Sequence, residues 1–161
     1  MKSDLVVFYS RSGNTRRLAQ RLAHALDADL EEVREARGRD GMLGFLRCGY
    51  EATRGIEPPL LPLRLNPRRY ARVFIGTPVW AGHVSSPVRA WLARHRADLK
   101  EFAFFCTYGH EGADTALADL AAIVGRAPQA TLAMTEREVH LGGEAQVAPF
   151  VESLPARAKA A

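Results

Sequence analysis

Apolar residues along this chain follow two alternating rhythms. Short, nearly continuous runs at residues 4–9, 29–34, 72–77, 102–107 and 130–135 read as strands, each mostly apolar except the second. Between them the spacing turns helical: Leu18, Leu22, Ala25 and Leu26; then Met42, Phe45, Leu46 and Tyr50; then Val88, Trp91 and Leu92; then Leu117, Leu120, Ala121 and Val124. A last helix around Val147, Phe150, Val151 and Leu154 is interrupted or started by Pro149 and closed by Pro155. Continuous apolar strands need cover on both faces, and parallel strands need long crossovers. The alternation therefore predicts an α/β fold, a five-stranded parallel sheet between two helical layers.

The remaining segments change little. Pro58, Pro59, Pro62 and Pro67 exclude regular structure between residues 57 and 69, which reads as an extended connection. At 161 residues, 47% of them apolar, the chain is expected to form one domain over residues 1–161, with 155–161 a fraying end. No run reaches the roughly 20 apolar residues of a membrane span, and Met1-Lys2-Ser3-Asp4 leads directly into the first strand, so a soluble, cytoplasmic protein is expected. Cys48 and Cys106 have neither disulfide-framework nor metal spacing; Cys106, inside an apolar run, reads as a small buried hydrophobe. The net charge of +4 comes from arginines spread along the chain rather than gathered in one basic run, which argues against nucleic acid as a partner.

Chemistry gathers where strands end. Ser10-Arg11-Ser12-Gly13-Asn14-Thr15 follows Leu5-Val6-Val7-Phe8-Tyr9 and opens a helix, so backbone N–H groups and three hydroxyls converge on the positive end of a helix dipole. Without a Gly-Lys-Ser/Thr ending or three spaced glycines, this turn suits a terminal monophosphate held by neutral donors rather than a nucleoside triphosphate or a dinucleotide. An ordinary helix cap uses the same residue types. Two further loops follow the third and fourth strands: Thr77-Pro78-Val79-Trp80-Ala81-Gly82 and Thr107-Tyr108-Gly109-His110-Glu111-Gly112. In open α/β sheets, ligands lie beyond the carboxyl ends of the strands, so all three loops should border one crevice. There Trp80 and Tyr108 offer flat faces for a planar heterocycle, or else serve as a core anchor and a strand-end residue.

These three segments resemble flavodoxins: the first is similar to their phosphate loop, Ser/Thr-x-Ser/Thr-Gly-x-Thr, and the other two to their flavin-flanking loops. The similarity runs from residue 4 to about residue 154. It implies a flavodoxin-like three-layer sandwich with strand order 2-1-3-4-5 and FMN as cofactor, the arrangement for which flavodoxin is itself the standard example. Carried over by position, Ser10, Ser12, Asn14 and Thr15, with the amides of Arg11, Ser12, Gly13, Asn14 and Thr15, would hold the phosphate. Pro78 and Val79 would follow the ribityl chain and ring edge, while Trp80 and Tyr108 would lie near the isoalloxazine. Thr77, Thr107, Gly109, His110 and Gly112 complete the expected binding loops, and the Ala81–Gly82 peptide would turn its carbonyl with redox state.

The chain departs from acidic electron-carrying flavodoxins in being basic, with Arg11, Arg16 and Arg17 beside the phosphate loop, a surround expected to stabilise reduced flavin. The reading is therefore an NAD(P)H-dependent, FMN-containing reductase of a quinone, flavin or other small acceptor. A carrier between protein partners and a non-redox binder of a phosphorylated ligand are the alternatives. His83 and His110 are placed beside the ring, where each would tune it or protonate an acceptor, or else be an exposed loop histidine without a role; His24, His95 and His140 are expected to be surface or packing residues. Residues 41–55 resemble the second helix of uncharacterised flavodoxin-like proteins, with their apolar side expected to cover the sheet.

Overall fold

The computed structural model describes residues 2–156; the expected frayed tail beyond Ala156 lies outside the described residues. In chain order the elements are β1 (Asp4–Phe8), α1 (Asn14–Leu26), β2 (Asp29–Glu32), α2 (Gly41–Arg54), β3 (Arg72–Trp80), β4 (His83–Val84), α3 (Ser86–His95), β5 (Glu101–Tyr108), α4 (Ala113–Val124), β6 (Thr131–Thr135), α5 (Glu136–His140) and α6 (Glu144–Ser153). Strands pair in the order β2-β1-β3-β5-β6, all parallel, and β4 runs antiparallel to the end of β3. With β4 set aside, this is the expected order and count.

Period-two alternation sends neighbouring residues of each strand to opposite helical layers. Leu5, Val7, Val73, Ile75 and Phe104 face one side, where Trp91 and Leu92 of α3 and Leu120 of α4 close the core. Val6, Phe8, Phe74, Ala103 and Phe105 face the other, against Leu18 and Leu22 of α1 and Val147 and Phe150 of α6. Gly76 is required in β3 because a Cβ there would sit 2.0 Å from the Phe105 ring. At the sheet edge, Glu35 pairs with Leu60 and the Leu61 amide donates to the Arg34 carbonyl, so the proline-rich connection shields the exposed side of the β2 segment.

Four expectations are corrected. The third strand continues through Thr77-Pro78-Val79-Trp80 and folds back as β4, where a loop was expected. On α1, Ala25 is exposed, and Ala19 and Ala23 join the leucines inside. The last helix begins at Glu144 and carries Pro149 within it, preceded by a short α5 fixed by a Thr135–Glu138 capping box.

The fourth correction concerns α2, which is turned opposite to its apolar stripe. Its inward face is Gly44, Cys48, Glu51 and Ala52, while Met42, Leu43, Phe45, Leu46 and Tyr50 are 59–82% exposed. A Cβ at Gly44 would stand 2.2 Å from the Arg39 carbonyl oxygen. The helix thus meets the preceding backbone through its small residues, and the large ones have no way inward. Among the described residues no helix is long and apolar enough to cross a membrane.

Candidate functional site

At the end of β1 the chain turns sharply. Gly13 serves as the N-cap of α1 at φ 96°, a conformation that glycine adopts without Cβ strain, and no side chain caps the helix. The Ser10 Oγ accepts from the amides of Gly13 (3.1 Å) and Arg16 (3.2 Å), which ties the loop into a ring. Its hydroxyl proton remains free to donate outward. The Asn14 side-chain amide donates to Ser12 Oγ at 3.4 Å. Among the described residues the amides of Ser12, Asn14 and Thr15 have no protein acceptor. The turn is rich in donors and poor in acceptors, as an anion requires.

The neighbouring arginines do not converge on this turn. Arg16 pairs with Glu32 at 2.6 Å, Arg17 meets the His140 ring at 2.6 Å, and Arg11 donates to the carbonyls of Arg39 (3.1 Å) and Gly41 (3.2 Å) while lying over the Phe45 ring. The cradle is one of neutral donors; of the three arginines only Arg16 is neutralised by a carboxylate, while Arg11 and Arg17 keep their charge nearby with their guanidinium groups turned to other partners.

The expected loops do meet. Thr15 Oγ1 and Thr107 Oγ1 share a buried hydrogen bond of 2.8 Å, joining the start of α1 to the end of β5. Thr77 Oγ1 donates within a buried pair to Ser85 Oγ (2.9 Å) and accepts from the Ser85 amide (3.0 Å), bracing the β3–β4 hairpin. Ala81 (φ 49°) and Gly82 (φ 81°) are the two central residues of that hairpin, and positive φ at both is the requirement of a type I′ turn. Gly112 (φ 92°) packs backbone against backbone here: a Cβ on it would lie 2.6 Å from the Gly82 Cα. Pro78, Val79 and Tyr108 are half-buried, and Gly109 and His110 are exposed beside them.

Trp80 is 8% exposed, its ring edge-on to Tyr9 at 5.4 Å and under the Arg39 guanidinium at 4.9 Å. Arg39, with its side chain 1% exposed, forks onto both oxygens of Glu35 (2.6 and 2.7 Å), contacts Glu51 and donates to Ser86 Oγ at 3.0 Å. Arg47 reaches the other Glu51 oxygen at 2.6 Å. Burial disfavours the charge on Arg39, but the two carboxylates outweigh it and hold the guanidinium protonated beyond its ordinary range. Burial likewise disfavours the Glu51 carboxylate, yet hydrogen bonds from Arg39, Arg47 and Ser86 prevail and set it below the usual glutamate range. Burial, with Glu35 nearby, raises the Tyr9 hydroxyl, and burial pushes the Cys106 thiol up to about 12, which fits an inert packing role.

Sequence reasoning missed this ionic cluster, although Glu35–Arg39 and Arg47–Glu51 both carry the i, i+4 spacing that could have signalled it. It also missed Asp119, whose carboxylate accepts from His83 Nδ1 at 3.0 Å and from the Val84 amide at 3.2 Å. That contact turns the His83 imidazole so that Nε2 is its free nitrogen. A cavity of about 310 Å³ adjoins the first turn at Tyr9, Ser10 and Arg16, while a larger one of about 700 Å³ lies away from the three loops, between residues 60–68 and α3.

No family model and no curated protein matches the chain. Solved structures do. An FMN-bound flavoprotein from Lactobacillus acidophilus NCFM superposes with a TM-score of 0.72 at 22% identity, covering 89% of this chain and 100% of that one. A candidate flavoprotein from Bacteroides eggerthii DSM 20697 gives 0.67 at 19%, covering 89% and 97%. The fold is flavodoxin-like. A WrbA-like flavodoxin from Agrobacterium tumefaciens shares it more loosely, with a TM-score of 0.51 at 17% identity over 94% and 99% of the two chains. In this flavodoxin-like chain the three loops named from sequence are neighbours at the carboxyl edge of the sheet, joined by the Thr15–Thr107 and Gly82–Gly112 contacts.

Proposed function

We propose that this chain binds FMN at the β1–α1 turn and acts as an NAD(P)H-dependent reductase of a quinone, flavin or other small acceptor. The observation that carries the reading is the acceptor-poor turn: unpaired amides of Ser12, Asn14 and Thr15 beside the free hydroxyl proton of Ser10 suit the oxygens of a phosphate monoester. No lysine or metal is needed to hold a single terminal phosphate by neutral donors. Bound FMN would supply hydride transfer between nicotinamide and acceptor.

The protein's own residues divide the remaining tasks. Thr15 and Thr107 fix the distance between the phosphate turn and the third loop. Pro78, Val79 and Tyr108 supply half-buried apolar surface for the ribityl chain and ring. Trp80, enclosed by Tyr9 and Arg39, supports the hairpin from behind rather than offering an open face. His83, held by Asp119 through Nδ1, leaves Nε2 as the ring nitrogen available to hydrogen-bond a small acceptor. A fixed polar handle of this kind suits a small-molecule acceptor more than a carrier that passes electrons between proteins.

Purified protein should be yellow with flavin absorption bands, and anaerobic mixing with NADH or NADPH should bleach them. A colourless protein that fails to take up added FMN defeats the binding reading; colour without bleaching defeats the reductase. His83→Gln should slow quinone turnover while leaving flavin bleaching by the nicotinamide unchanged.

A further inference from the structure

Helix α2 turns its large side chains to solvent. Met42, Leu43, Phe45, Leu46 and Tyr50 are 79, 82, 62, 60 and 59% exposed, and together they present on the order of 600 Å² of contiguous apolar surface, the upper limit for a typical monomer. The turn of the helix is enforced from within, since Gly44 meets the Arg39 carbonyl and Glu51 is locked by Arg39, Arg47 and Ser86. Rotation to bury the stripe would break that buried ionic cluster. The face is therefore held outward, and it needs cover from outside the chain.

We propose that this cover is a second copy of the chain, with the two α2 helices packed antiparallel about a two-fold axis. Complete burial of the face on both copies removes up to about 1,200 Å², the lower edge of the range of stable interfaces. The ends of the helix are complementary under that symmetry. Exposed Asp40 is the N-cap and makes no cap hydrogen bond, whereas exposed Arg54 stands in the last turn. Antiparallel pairing brings Asp40 of each copy to Arg54 of the other, aligns the two helix dipoles favourably and places Phe45 against Tyr50 across the axis.

The interface adjoins the three-loop crevice. Arg11 lies 5.6 Å over Phe45, and a methyl built on Gly49 would touch the Ala81 side chain at 3.8 Å. The second copy thus runs along the border of the candidate flavin site, although the pairing itself does not depend on flavin.

Sedimentation velocity on the full chain, with and without FMN and from about 1 to about 100 μM, should give twice the chain mass. Leu46→Glu, on an exposed position that leaves folding intact by circular dichroism, should raise the dimer dissociation constant at least about 100-fold. Asp40→Arg and Arg54→Asp should each weaken the dimer, and the double variant D40R/R54D should restore it. A monomer throughout, a dimer indifferent to Leu46→Glu, or a double variant weaker than either single one overturns the proposal. A dimer without flavin uptake defeats only the FMN reading; a yellow monomer defeats only the dimer.

Discussion

The β1–α1 turn and the Trp80 pocket lie side by side and are built on opposite principles. In the turn, amides and hydroxyls stand with their donors open, and the nearby arginines are occupied elsewhere. Around Trp80, an aromatic ring, two carboxylates and a guanidinium satisfy one another almost completely, and only Arg39 Nη1 in that trio of charged residues is left without a partner. Open hydrogen-bonding capacity marks a place for a ligand, and closed capacity marks scaffold. Trp80 is the aromatic most readily nominated as a ligand face from sequence, and its surroundings make it part of the frame.

The largest test of this contrast is Arg39→Met. It removes the bidentate partner of buried Glu35 and leaves Glu51 to Arg47 and Ser86, so it should cost about 3 kcal/mol of folding stability in urea unfolding, whereas replacing Arg39, Glu35 and Glu51 together with apolar residues of similar volume should recover most of it. Gly13→Val attacks the other region: a β-branched side chain at φ 96° carries about 1–3 kcal/mol of strain, so FMN affinity by fluorescence titration should fall roughly 10-fold or more. Thr107→Val removes the partner of Thr15 and should cost about 1 kcal/mol in thermal unfolding, with a parallel loss of FMN affinity.

Acid sharpens the comparison further. The folded-state value of Glu51 is below its unfolded value of about 4.3, so its contribution is complete near neutrality and is lost as pH falls through the depressed value. Glu51→Gln should flatten that part of the acid limb in unfolding measured against pH, and an unchanged limb counts against the cluster. The smallest expected effect is at Ala81→Gly. Turning the 81–82 peptide to the alternative hairpin geometry places the first central residue in a conformation that glycine favours, so this change should ease the turn and shift the flavin potential slightly.

Much of this was legible because periodicity and topology are local signals. The five parallel strands and the three converging loops follow from apolar runs, crossover length and turn chemistry, whereas the strand order came only with the resemblance to flavodoxins. What escaped was set by contacts distant in sequence. Arg39 finds its partners 4, 12 and 47 positions away, and no spacing announces the last two. The face of α2 was misread because an apolar stripe ordinarily turns inward, while here one backbone approach at Gly44 decides the orientation. The hairpin at Trp80 was hidden by Ala81, whose left-handed conformation is uncommon for a residue bearing a Cβ.

The contact between Gly112 and Gly82 also governs tempo. No side chain separates the two backbones where Gly112 meets Gly82, with the Val79 side chain alongside, so parting them is not a matter of side-chain rotation in picoseconds to nanoseconds. Parting them means shifting a hairpin against the start of a helix, a movement on the microsecond-to-millisecond scale, so any exchange of molecules across this seam proceeds at the pace of whole segments.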